Sequence, residues 1–106
     1  MQAKIRKALR ELKKEILRIY GKDVDSIILY GSRARGDARD DSDIDILVVL
    51  NKEFNYSEML SRSSKVVASL SLENDIVISR AFVKKSDYEN LQVPFLMNVR
   101  REGVPV

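Results

Sequence analysis

The 106 residues contain no cysteine and no histidine. The first absence excludes disulfides, zinc fingers and thiol nucleophiles, and the second removes imidazole acid–base catalysis at neutral pH. Carboxylates, hydroxyls and arginines must therefore carry any chemistry. No apolar run approaches the roughly 20 residues of a membrane span, and the N-terminus lacks the apolar core of a signal peptide, so the expected location is the cytoplasm. The length is that of one domain, 1–106, with a modest core and no room for a separate substrate-recognition domain. No repeat, linker or low-complexity tract divides it.

The formal charge of +3 is unevenly spread. Residues 1–22 hold eight Lys or Arg against two Glu, while residues 37–45 hold five Asp. The acidic stretch is the composition of a cation site. The basic stretch is read as a solvated helix face, which makes a nucleic-acid partner the weaker expectation.

Ile5, Leu9, Leu12, Ile16 and Ile19 recur at three- and four-residue steps, which predicts an amphipathic helix over 3–20 ended by Gly21. Strands are expected over 25–30, 43–50 and 75–83. Asn55 or Ser57 is placed to cap a helix running through Leu70. Ser86 and Glu89 have the spacing of a capping box for a short turn. Pro94 opens a last helix, with Gly103 at its C-terminal end and Pro105 beyond. This alternation predicts an α/β (α+β) fold, a small mixed sheet of three to four strands flanked by helices.

The informative motif is Gly31-Ser32, ten residues, then Asp43-Ile44-Asp45 leading into the apolar run 46–50. A tight Gly-Ser turn entering a helix leaves backbone N–H groups free to hold a phosphate. Asp43 and Asp45, two apart on an extended strand, share a face and suit Mg²⁺, which prefers oxygen ligands and leaves its other positions to a nucleotide's phosphates. Phosphoryl or nucleotidyl transfer by two metal ions needs a further carboxylate on the attacking side, and Asp75, at the start of the third expected strand, is the candidate. Arg33, Arg35 and Arg39 either contact triphosphate oxygens or neutralise neighbouring acids. A P-loop is excluded, since no Lys-Ser or Lys-Thr follows the glycines. An Asp-x-Asp glycosyltransferase needs a longer chain and does not require the Gly-Ser pair.

Gly-Ser, ten residues, Asp-x-Asp and a later strand led by an acid resemble the DNA polymerase beta nucleotidyltransferase superfamily, in its minimal nucleotidyltransferase (MNT) branch. The resemblance spans nearly the whole chain and implies the nucleotidyltransferase fold, ATP as substrate and Mg²⁺, two ions, as cofactor. Gly31 and Ser32 match the phosphate-binding pair, Asp43 and Asp45 the metal pair, and Asp75 the third acid. The branch often pairs with a small helical HEPN protein, and some members are antitoxins that adenylylate a tyrosine of that partner. The expectation is an enzyme that transfers AMP from MgATP to a hydroxyl of a partner protein. The alternative is a nucleotide-binding module that neutralises or scaffolds a HEPN partner by contact. Self-association stays open.

Overall fold

The computed structural model describes residues 1–106. Helix α1 (Ala3–Tyr20) buries Ile5, Ala8, Leu9, Leu12, Ile16 and Tyr20, the stripe its 3.6-residue period requires. Gly21, at φ 57°, turns the chain out of it. Strand β1 (Val24–Tyr30) runs into the one-turn helix α2 (Ser32–Arg35), entered through Gly31 at φ 76° and left through Gly36 at φ 83°. Strand β2 (Ile44–Leu50) is followed by helix α3 (Tyr56–Asn74), whose N-terminus is capped as expected, Asn55 Oδ1 accepting from the Glu58 N–H at 2.9 Å. Strand β3 (Ile78–Lys84), helix α4 (Lys85–Asn90), helix α5 (Pro94–Glu102) and the short strand β4 (Val104–Pro105) complete the chain.

The four strands lie in the order β3-β2-β1-β4, mixed as predicted: β2 pairs with β3 in parallel, and β1 pairs with β2 and with β4 antiparallel. Ile27, Leu29, Ile44, Ile46, Val48 and Leu50 pack under α1 and α3, while Ile28, Leu47 and Val49 meet Leu96 and Val99 of α5 on the other face. Helices thus cover both faces, and β2 is apolar on both sides beyond its first residues. The serines that make α3 a poor intrinsic helix are put to use inside. Ser63 is fully buried, lies 2.8 Å from Tyr20 Oη and accepts from Arg80 Nε at 2.7 Å, so a polar link joins α1, α3 and β3. No helix is long and apolar enough to cross a membrane.

Two expectations change. The third strand begins at Ile78 and not at Asp75, because α3 continues to Asn74 and ends in a hydrogen-bonded cap. The Asp75 N–H donates to Leu72 O at 3.3 Å and the Ile76 N–H to Ser71 O at 3.1 Å, with Asp75 in the left-handed conformation at φ 50°. This double bond pattern is how helices commonly terminate, with Asp75 in the place glycine usually takes. Ser86 does not cap α4 either: that helix starts at Lys85, with Lys84 in the cap position and no side-chain cap bond.

Candidate active site

Because β1 and β2 are antiparallel and β2 and β3 parallel, the end of β1 and the starts of β2 and β3 meet at one end of the sheet. There Asp45 stands opposite Tyr30 on β1 and opposite Ser79 on β3. Ile44 is fully buried on the α1/α3 side, so Asp43 and Asp45 take the opposite face, as the two-residue period predicts. Burial, and then the charge of Asp43, raise the pKa of Asp45 above the ordinary carboxylate value. Burial first and Asp45 second push the Tyr30 hydroxyl upward as well. A half-buried carboxylate whose ionisation is opposed by burial and by a neighbouring carboxylate is a donor that a hard cation relieves.

Gly31 lies against this pair. A Cβ placed on it would stand 2.6 Å from Asp45 Oδ2, closer than any real side chain approaches, and its positive φ already disfavours other residues. The turn therefore rests directly on the carboxylate. From Gly31 the chain enters α2, where the Ala34 and Arg35 N–H groups are taken by the Gly31 carbonyl, each at 3.1 Å. The Ser32 hydroxyl makes no bond within the chain and remains available as a donor.

The arginines serve the loop. Arg33 Nη2 donates to Asp40 O at 3.2 Å and to Ser42 O at 2.8 Å, bracing the segment that delivers Asp43, and its Nε is buried without a partner. Arg35 is exposed; its Nε donates to Asp37 Oδ2 at 3.2 Å and its Nη1 to Glu102 Oε2 at 3.4 Å. Such exposed ion pairs are weak and exchangeable. Arg35 also rims a hollow of about 210 Å³ beside Gly31, shared with Tyr30, Phe95, Asn98 and Glu102. The Tyr30 and Phe95 rings meet edge to face there, centroids 5.3 Å apart.

Asp75 is not brought to the pair. It lies three residues before β3, exposed, with its carbonyl accepting from Lys4 Nζ at 3.3 Å, and no three acidic side chains in the chain are grouped to share a metal ion. The position beside Asp45 on β3 belongs to Ser79 instead. Tyr30, Ser79 and the Phe95–Glu102 wall escape sequence reading because they join the site through strand register and helix packing. Only Tyr30 carries a local signal, its place directly before Gly31.

Comparison with known proteins accords with this geometry. The nucleotidyltransferase domain family matches residues 9–99. A Methanocaldococcus jannaschii protein named "Putative protein adenylyltransferase MJ0141" is 35% identical over 98 residues, covering 92% of this chain and 94% of that protein. A crystal structure of a "putative nucleotidyltransferase" from Sulfolobus solfataricus superposes with a TM-score of 0.59 at 24% identity over 99% of this chain and 86% of its own. A toxin-antitoxin crystal structure with AMP-PNP gives 0.63 at 19% identity over 91% of this chain and 69% of its own. These two likenesses establish the fold. The match over most of the chain, together with a relative of this identity and coverage, establishes that the chain belongs to the nucleotidyltransferase domain family and is a nucleotidyltransferase.

Proposed function

We propose that the protein binds MgATP at the Gly31-Ser32 turn and transfers AMP to a hydroxyl of a partner protein, as the antitoxin of a pair with a HEPN-type helical protein. The single observation that carries the reading is the packing of the Gly31 backbone on Asp45. The Gly31-Ser32 turn and a half-buried carboxylate of raised pKa are in close contact, which supports a ligand carrying phosphate and metal together. The name of the M. jannaschii relative supports a protein acceptor, and the toxin-antitoxin structure with AMP-PNP supports an adenine nucleotide and a toxin partner.

Asp43 and Asp45 would hold Mg²⁺, which when bound neutralises charge on the triphosphate. Gly31 N–H and Ser32 Oγ would hold the β- and γ-phosphates, and Arg35 would exchange its carboxylate partners for phosphate oxygens. The acceptor oxygen bonds to the α-phosphorus, the bond from that phosphorus to the oxygen bridging to the β-phosphate breaks, and pyrophosphate leaves on the Gly31 side. The acceptor's proton passes to a water or a carboxylate oxygen at the site. With Asp75 at the end of α3, the chain offers two carboxylates there, enough for one ion; a second ion would draw on substrate oxygens.

The placement of Asp75 also favours a second reading, contact-only neutralisation of the partner with transfer slow or absent. Calorimetric titration with MgATP should show Asp43→Asn/Asp45→Asn binding at least tenfold more weakly than wild type, about 1.4 kcal/mol or more. Label from α-labelled ATP should then appear on a HEPN-type partner protein mixed with it. Equal affinities would remove the site, and a silenced but unlabelled partner would establish the contact reading.

A further inference from the structure

We infer that the outer flank of α1 is a docking surface for the phosphate backbone of a nucleic acid, read by charge and without sequence preference. The surface is separate from the nucleotide site and goes beyond the reading given for it.

The structure segregates the charges of α1 in a way the sequence does not state. Its two acids, Glu11 and Glu15, pair with Lys7 at 2.7 Å and Arg18 at 2.6 Å, and both line the groove that α1 forms with Lys65 and Leu70 of α3. At 3.6 residues per turn, Arg6, Arg10, Lys13 and Leu17 fall within about 60° of arc on the other flank. All four are exposed, and none of the three cations is in an ion pair. Arg6 donates to the Met1 carbonyl, which leaves its charge unneutralised.

This arrangement works against the helix. Like charges four residues apart, as at Arg6 and Arg10, repel each other, and the first turn holds Lys4 and Arg6 and no acid, where the positive end of the helix dipole favours one. Local rules broken without a gain inside the fold mark a function outside it. The kind of polyanion follows from what else the flank carries. A protein interface needs an apolar centre, and Leu17, 42% exposed, is the single large apolar side chain here. A membrane-surface helix gives its apolar face to lipid, but Ile5, Leu9, Leu12 and Ile16 are committed to the core. The flank has no aromatic ring on which bases could stack, so phosphates are the part of a nucleic acid it can hold. Guanidinium forks bind phosphate oxygens in pairs. The rise from Arg6 to Lys13 is about 10 Å, enough to meet several phosphates of a duplex that carries one charge per about 1.7 Å of axis.

Fluorescence anisotropy of a labelled DNA duplex of mixed sequence, titrated with the full chain, tests this. The logarithm of the binding constant should fall against the logarithm of salt concentration with a slope of about −2.7, three contacts at about −0.9 each. Arg10→Gln/Lys13→Gln, both at exposed positions, should weaken binding about tenfold or more at low salt and bring the slope to about −0.9, and Arg6→Gln alone should reduce it by about 0.9. Lys65→Gln, in the α1/α3 groove, should change neither, and a duplex of unrelated sequence should bind equally. Saturating MgATP should leave the duplex bound, because α1 covers the sheet face opposite Asp45. Displacement by MgATP, an undiminished slope in the substituted chains, or no binding at about 50 mM salt would overturn the surface. Tighter binding of polyglutamate or of phosphatidylserine vesicles than of the duplex would overturn it too, and would assign the flank to an acidic protein or a membrane.

Discussion

Asp45 is held at odds with its own ionisation, since burial and Asp43 both favour its protonated form. The folded chain therefore binds this proton more tightly than the unfolded chain, whose carboxyl titrates at the ordinary 3.8. The stabilisation this gives is fully present below that value and is lost as pH rises through the raised one, leaving ionised Asp45 as a burden on the metal-free protein at neutrality. Metal-free Asp45→Asn should accordingly melt above wild type at about pH 7, and the gap should close towards about pH 3, where both are neutral. Thermal melts followed by circular dichroism check this, and a variant that melts below wild type at neutral pH would contradict it. The same residue shows what a sequence reveals about a site. Its pairing with Asp43 follows from a two-residue period and was legible; its contact with Gly31 and its neighbours Tyr30 and Ser79 depend on register, which no local pattern states.

Elements were legible where one signal dominated. The 3.6-residue stripe of α1, the Asn55 cap, Pro94 at the first turn of α5 and the Gly31-Ser32 turn that opens α2 each stand in the structure where the pattern put them. The segment 75–79 misled because Ile76 and Ile78 are buried and Val77 exposed, an alternation that mimics a strand while the first residues are still closing a helix. The last two-residue strand was hidden for a related reason: Val104 and Pro105 are exposed, and pairing with Leu29 and Ile28 makes them a strand without an apolar pattern. Gly103, between α5 and β4, is required by space alone, since a Cβ there would lie 2.5 Å from both Ile28 Cγ2 and the Val99 carbonyl oxygen. Gly103→Ala should destabilise the fold by about 1–3 kcal/mol through overpacking, read from urea midpoints. An unchanged midpoint would mean that α5 shifts freely over the sheet.

At the scale of the molecule, two helical layers clamp β2, whose last five residues are fully buried. The starts of β2 and β3, by contrast, carry the exposed and half-buried side chains Asp43, Asp45, Val77 and Ser79. A rigid sheet thus ends in a polar mouth, and ligands that bind there stabilise the whole fold by mass action. Saturating MgATP at about 100 times its dissociation constant contributes about 2.7 kcal/mol, which for a domain of this size raises the melting temperature on the order of 10 °C or more. Mg²⁺ alone or ATP alone should each give far less, and Asp43→Asn should remove the excess; a shift equal in all three conditions would place nucleotide binding away from the carboxylates. On the proposed reading, the Gly31 backbone resting on Asp45 would make cation and nucleotide heterotropic effectors of one another. Whatever factor the cation adds to nucleotide affinity, the nucleotide must return to cation affinity, so the concentration of either one sets the sensitivity of the protein to the other.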